Sequence, residues 1–116
     1  MLKRKDSFRN DLRKEMRGGD GEILISHIWE PESELRSKTR MFSKITIKPG
    51  CSIGEHRHDD EEEVFYVLKG VAEYYDDGKM VELHAGDSVL TGGGGSHAIR
   101  NSGEEPVELI AFIGRF

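Results

Sequence analysis

Short apolar segments alternate with turn residues along most of the chain from Glu22 onward. Nine of these segments are of strand length and rich in β-branched or aromatic residues. They cover residues 22–29, 41–47, 51–56, 63–68, 71–75, 80–84, 88–91, 97–101 and 107–113. The breaks between them carry turn residues, and Asp76-Asp77-Gly78 predicts a β-hairpin. Many short strands at near-regular spacing, with no helix between them, predict an all-β fold built as an antiparallel sandwich or barrel.

Residues 1–21 have a different pattern. They are mostly polar, but Phe8, Leu12 and Met16 recur every four residues and are followed by Gly18-Gly19. This spacing predicts a short helix that ends at the glycines. We therefore expect a short N-terminal helical or irregular arm over residues 1–21, followed by a single β-barrel domain over residues 22–116.

Composition and charge narrow the class of protein. A chain of 116 residues is of single-domain size, and its net charge of -5 with a pI near 5.5 is not typical of a nucleic-acid binder. The apolar runs are too short to cross a bilayer, and "MLKRKDSF" has no apolar stretch of the kind found in a secretory signal. The single cysteine, Cys51, cannot form an intrachain disulfide. We expect a cytoplasmic protein with no nucleic-acid partner and no membrane contact.

Candidate chemistry begins with two histidines. His56 and His58 are two residues apart, a spacing that directs both imidazoles to the same face of a strand. The acidic run Asp59–Glu63 leads into the next predicted strand and could place a carboxylate beside the two rings. Two imidazoles and a carboxylate form a site for a divalent ion such as Mn, Fe, Co, Ni, Cu or Zn. The alternative is a solvated loop without a ligand.

The glycine run at residues 92–95 precedes His97. A phosphate-binding loop would continue with Lys and Ser or Thr and then a helix, whereas this chain continues with Ser96-His97 and a strand pattern. The glycines therefore favour a turn that brings His97 to the start of a strand, where it would be a further candidate donor.

Two stretches resemble the conserved motifs of the cupin family. "GCSIGEHRHDDEEEVFYVLKG" (50–70) is similar to the first, G-x5-H-x-H-x3,4-E-x6-G, and "GDSVLTGGGGSHAIRN" (86–101) to the second, G-x5-P-x-G-x2-H-x3-N. The resemblance implies a small double-stranded β-helix, the jelly-roll or cupin barrel. It also implies the metal ligands His56, His58, Glu63 and His97, with Glu63 chosen over Glu62 because six residues separate it from Gly70.

One position departs from the second motif. Gly92 stands where the family usually has proline. Because glycine lacks the fixed φ of proline, we expect a mobile loop at the rim of the pocket and a Gly92→Pro variant that still binds metal.

The function remains open between several classes. Three neutral imidazoles and one carboxylate around a divalent ion leave a net charge near +1, which suits a small anionic ligand. Open coordination positions on the ion would accept water, substrate or O2, so the metal could act as a Lewis acid or activate oxygen. The leading expectation is a metal-dependent enzyme of the dioxygenase, decarboxylase or isomerase type. The alternatives are a non-catalytic binding or sensing module and a metal-free cupin acting on a nucleotide sugar or sugar phosphate.

Two further expectations concern the surroundings of the site. Asp60, Glu62 and Tyr66 are candidates for orienting the ligand imidazoles. An open strand edge at "EILISHIW" (22–29) predicts a homodimer that covers it.

Overall fold

The computed structural model describes all 116 residues, and they form two antiparallel sheets. Ten strands follow in chain order: β1 (Arg9–Lys14), β2 (Glu22–His27), β3 (Thr39–Ile47), β4 (Ser52–Arg57), β5 (Glu61–Lys69), β6 (Ala72–Asp76), β7 (Lys79–Leu83), β8 (Ser88–Gly92), β9 (Ser96–Arg100) and β10 (Val107–Arg115). Short 3-10 turns lie at Lys5–Ser7 and Met16–Gly18. No helix in the structure has the length and apolar character that a membrane span requires.

The two sheets differ in size. The larger has the strand order β1-β2-β3-β10-β5-β8, and the smaller has the order β4-β9-β6-β7. All nine strands predicted from the alternating pattern are present, and the all-β double-stranded β-helix is confirmed. The expected hairpin joins β6 to β7 through Asp77-Gly78, whose φ values of 49° and 83° fit the tight turn that such a pair favours.

The core lies between the sheets because each strand buries alternate side chains. On the larger sheet the buried positions include Ile23, Ile25, Ile45, Ile47 and Leu109. Ile53, Tyr74 and Ile99 are buried on the smaller sheet. This two-residue period on both sheets is what a sandwich or barrel with one apolar face per sheet requires.

The N-terminal helix predicted from Phe8, Leu12 and Met16 is not formed. Residues Arg9–Lys14 instead form β1, which pairs with β2 along its whole length, with Leu12 opposite Leu24. The helical spacing was misleading because no element offers a surface that would bury the apolar face of such a helix. Leu12, for example, remains 57% exposed. Backbone pairing with the free edge of β2 replaces the hydrogen bonds that a helix would make.

The pairing of β1 with β2 removes the argument on which the homodimer was predicted. The edge of β2 that was expected to be open is covered by β1 of the same chain. The edge strand on this side of the larger sheet is therefore β1, whose many charged residues disfavour pairing with a further strand.

The start of the glycine run packs closely against the facing strand. Gly92 ends β8 opposite Glu62, and Gly93 and Gly94 make the following turn with positive φ values of 63° and 98°. A Cβ atom at Gly92 would lie 2.6 Å from the carbonyl oxygen of Glu61 on the facing strand. The expectation of a tolerated Gly92→Pro variant is therefore wrong, because this position has no room for a side chain.

Candidate metal centre

The structure brings the four predicted ligand side chains together. His56 lies on β4, His58 directly follows β4, Glu63 lies on β5 and His97 lies on β9. Their donor atoms all lie within 4.8 Å of one another. His58, Glu63 and His97 are buried, and His56 is half-buried.

A β-bulge in β4 sets the direction of the histidines. Ile53 pairs with Ile99 and His56 with His97, so three steps on β4 face two steps on β9. With strict alternation, the buried Ile53 would place odd-numbered residues inside and the histidines outside. The extra residue reverses this parity and turns both imidazoles inward.

The spacing of the donor atoms fits ligands around one ion. His97 Nε2 lies 3.0 Å from His58 Nε2 and 3.1 Å from His56 Nε2. Glu63 Oε1 lies 2.9 Å from Nε2 of both His58 and His97, and 3.9 Å from His56 Nε2. Ligands on neighbouring positions of a six-coordinate ion with bonds of about 2.1 Å are about 3.0 Å apart, and opposite ligands about 4.2 Å. Four of these pairs match neighbouring positions, and His56 and Glu63 approach opposite ones.

The outer nitrogen of each imidazole has its own partner. His56 Nδ1 donates to the Gly54 carbonyl oxygen at 2.8 Å, and His58 Nδ1 donates to Glu61 Oε2 at 2.5 Å. Because these acceptors fix a proton on Nδ1, each ring in its neutral form presents an Nε2 lone pair to the centre. Lone pairs this close to a carboxylate oxygen repel one another unless a cation lies between them, so the donor set fits a metal ion.

The third ring is held by a buried tyrosine. His97 Nδ1 lies 2.8 Å from the Tyr74 hydroxyl, which is also hydrogen-bonded to the Thr91 hydroxyl. Burial raises the pKa of Tyr74 to about 12, so the phenol stays protonated and neutral. The sequence did not indicate the contact of Tyr74 and Thr91 with His97, because this contact depends on how β6 and β8 lie beside β9.

The residue that orients His58 is Glu61. Its carboxylate also accepts two hydrogen bonds of 2.8 Å from the Arg40 guanidinium. The bond to Arg40, followed by the bond to His58, lowers the pKa of Glu61 to about 2. The predicted candidates Asp60, Glu62 and Tyr66 make no hydrogen bond to an imidazole. The strand period could have identified Glu61, since residues 61 and 63 lie on the same face of β5.

The electrostatics of the cluster differ between its members. Burial alone would raise the pKa of Glu63, but the three imidazoles beside its carboxylate outweigh burial and hold this pKa far below its usual range. The neighbouring Glu63 carboxylate raises the pKa of His58, whereas burial lowers the pKa of His97. The cluster therefore holds an ionised carboxylate among imidazoles, and ionised is the state in which carboxylates ligate metals in general.

A cavity of about 360 Å³ opens onto the cluster. His56, His58, Glu63 and Phe65 line this cavity. Its lining also includes Arg40 and the N-terminal residues 13–17, which contribute Arg13, Lys14 and Arg17 as cations and Glu15 as a carboxylate. The N-terminal segment is thus part of the pocket, a role that its sequence did not indicate.

The family assignment follows from comparison with known proteins. Residues 43–113 match the model of the cupin domain. This match covers more than half of the chain, and the protein belongs to the cupin family.

The chain is also similar to one protein of known name and to two solved structures. The chain is 36% identical over 113 residues to the oxalate-binding protein of Thermotoga maritima, covering 97% of this chain and 93% of the relative. A crystal structure described as a predicted oxalate decarboxylase from Thermotoga maritima superposes with a TM-score of 0.94 at 35% identity over the full length of both chains. A cupin 2 conserved barrel domain protein from Salinispora arenicola has a TM-score of 0.68 at 27% identity, covering 90% of this chain and 81% of the other.

Proposed function

We propose that this cupin binds oxalate or a similarly small dicarboxylate at a divalent transition-metal ion held by His56, His58, Glu63 and His97. One observation carries the proposal: three residues of the four-donor cluster line a small cavity whose lining also includes four cations, Arg13, Lys14, Arg17 and Arg40. The name of the Thermotoga maritima oxalate-binding protein supports the choice of ligand class.

The ion would supply the attraction for the anion. Three neutral imidazoles and one carboxylate leave a divalent ion with a net charge near +1, and the bound ion acts as a Lewis acid toward carboxylate oxygens. Four protein ligands leave two positions on a six-coordinate ion. Those two free positions would accept a chelating dicarboxylate. The donor set accepts Mn, Fe, Co, Ni, Cu or Zn.

Calorimetric titration tests the proposal directly. Oxalate is titrated into protein stripped of metal and into protein reloaded with Mn²⁺. We expect binding to the loaded protein, none to the stripped protein, and none to a His97→Ala variant treated in the same way. His84→Ala serves as the matched control, because His84 is exposed and lies outside the cluster. Equal binding to loaded and stripped protein would contradict a metal-centred site.

Decarboxylation is the second candidate, and Glu15 favours it. Glu15 is the one carboxyl group of the cavity wall besides the ligand Glu63. Loss of CO2 from oxalate leaves an electron pair on the remaining carbon, and a proton delivered there completes formate. NMR of ¹³C-labelled oxalate with the loaded protein separates the two functions: formate and CO2 in equal amounts indicate an enzyme, and unchanged oxalate indicates a binding protein.

The homodimer remains part of the proposal on different grounds. The outer face of the larger sheet carries an apolar row, in which Leu90 faces Val64, and Val64 faces Phe112, on neighbouring strands. Leu90 is 62% exposed, and a second copy packed on this face would bury it. We expect light scattering to give the mass of a dimer and a Leu90→Lys variant to shift it toward the monomer.

A further inference from the structure

We infer that Arg17 pairs with the outward oxygens of the bound dicarboxylate and thereby selects dicarboxylates over monocarboxylates. The inference rests on the proposed function, and it assigns a specificity role to the N-terminal segment.

The cations of the cavity wall differ in how far their charges are already compensated. Arg13 donates to Asp11 Oδ2 at 2.8 Å from both Nε and a terminal nitrogen. Arg40 is committed to Glu61. Lys14 lies 3.9 Å from Glu22, and its side chain is 77% exposed. Arg17 has no Asp or Glu oxygen within 4.0 Å, so its charge is free for an anion in the cavity.

The backbone around Arg17 is held in an unusual conformation. Arg17 (φ 55°, ψ 30°) and Glu15 (φ 47°, ψ 44°) are both left-handed without being glycine. Such residues persist only where the surroundings fix them, and they concentrate at functional sites. Here the turn is closed by backbone bonds from Gly18 N to Glu15 O at 3.0 Å and from Glu15 N to Gly21 O at 2.9 Å. Arg17 is thus presented on a fixed turn.

The same turn is docked against the strand that carries His56. A Cβ atom at Gly54 would lie 2.1 Å from the Arg17 carbonyl oxygen, so only glycine permits this contact. The Gly54 carbonyl oxygen in turn accepts the hydrogen bond from His56 Nδ1. Gly54 therefore fixes the position of Arg17 relative to the metal-binding cluster.

This placement suits the chemistry of oxalate. An oxalate that chelates the ion with one oxygen from each carboxylate directs its two other oxygens away from the ion. The planar guanidinium presents paired N–H donors that match two such oxygens. A monocarboxylate bound to the ion lacks this second pair, so it gains much less from Arg17.

The test compares two ligands in wild type and three variants, all loaded with Mn²⁺. Oxalate and acetate are titrated calorimetrically into wild type, Arg17→Gln, Arg17→Lys and the control Arg4→Gln. Arg4 is exposed, lies on the same N-terminal segment outside the cavity wall, and its substitution changes the net charge equally. We expect Arg17→Gln to weaken oxalate binding by about 10- to 100-fold. Acetate affinity and metal content should stay within about twofold of wild type, and Arg17→Lys should recover part of the loss.

The possible failures are distinguishable. If wild type binds oxalate and Arg17→Gln binds it as tightly, the role of Arg17 is refuted while the proposed function stands. Parallel losses of oxalate and acetate, or an equal loss in Arg4→Gln, would also refute it, because they would show only a change in overall charge. If metal-loaded wild type does not bind oxalate, the proposed function itself fails.

Discussion

Replacing Glu61 with glutamine tests how the predicted metal ligands are held. The substitution keeps the size of the side chain but removes the carboxylate charge that accepts the proton of His58 Nδ1 and pairs with Arg40. We expect His58 to become a weaker and less firmly oriented ligand, because the outer partner of a ligating imidazole fixes its tautomer and raises its basicity.

The expected magnitude follows from this geometry. Loss of such a partner typically lowers metal affinity by about 10- to 100-fold, or about 1.4 to 2.7 kcal/mol. The free energy of unfolding of the metal-free protein should fall by only about 1 kcal/mol, because the side chain of Arg40 is 32% exposed and solvent screens its charge. The effect on metal binding should therefore exceed the effect on stability.

The assay is a titration of stripped protein with Mn²⁺ in competition with a chelator, supported by urea unfolding. Glu62→Gln is the control, since it removes the same charge from the neighbouring residue, which lies on the opposite face of β5 and makes no bond to an imidazole. If both variants bind Mn²⁺ as tightly as wild type, or if both lose affinity equally, Glu61 does not act through His58.

Three further predictions concern packing and burial. Gly92→Ala should destabilise the protein by about 1–3 kcal/mol in urea unfolding. The control Gly95→Ala should change stability little, because the nearest atom to its added Cβ would lie at 3.4 Å. Equal effects of the two substitutions would contradict the close contact at Gly92. Tyr74→Phe removes the hydroxyl beside His97, so it should weaken Mn²⁺ binding and lower the free energy of unfolding by about 1–2 kcal/mol. Unchanged Mn²⁺ affinity together with unchanged stability would contradict that contact. Burial lowers the pKa of His27, so the unfolded state takes up protons first and stability should be lost as the pH falls through about 6.5. His27→Gln should show a smaller loss between pH 7.5 and 5.5 than wild type, and an equal loss would refute the assignment.

Much of the fold could be predicted from the sequence because the relevant signals are local. Alternating apolar residues and turn residues marked the strands from β2 to β10, and Asp77-Gly78 marked a hairpin. The N-terminal strand was missed because its formation depends on the free edge of β2, which is a tertiary feature. The spacing at Leu12 matched a helix for which the fold provides no partner.

The candidate site could likewise be predicted only in part. The motif spacing assembled the four side chains of the cluster correctly, but their role as metal ligands stays a prediction. The spacing could not show the bulge after Ile53 that turns His56 inward, because strict alternation predicts the opposite direction. The sequence did not indicate Arg17 as a cavity residue, because only the folded turn against Gly54 places it at the cavity.

Elemental analysis of the purified protein tests the central claim most directly. Wild type, His97→Ala and the control His84→Ala are expressed and purified in parallel without added metal. We predict about one transition-metal ion per chain in wild type and in the His84 variant, and less than about a tenth of that in the His97 variant. Equal metal content in the two variants, or no bound metal in wild type even after reloading with Mn²⁺, would contradict a metal centre at His56, His58, Glu63 and His97.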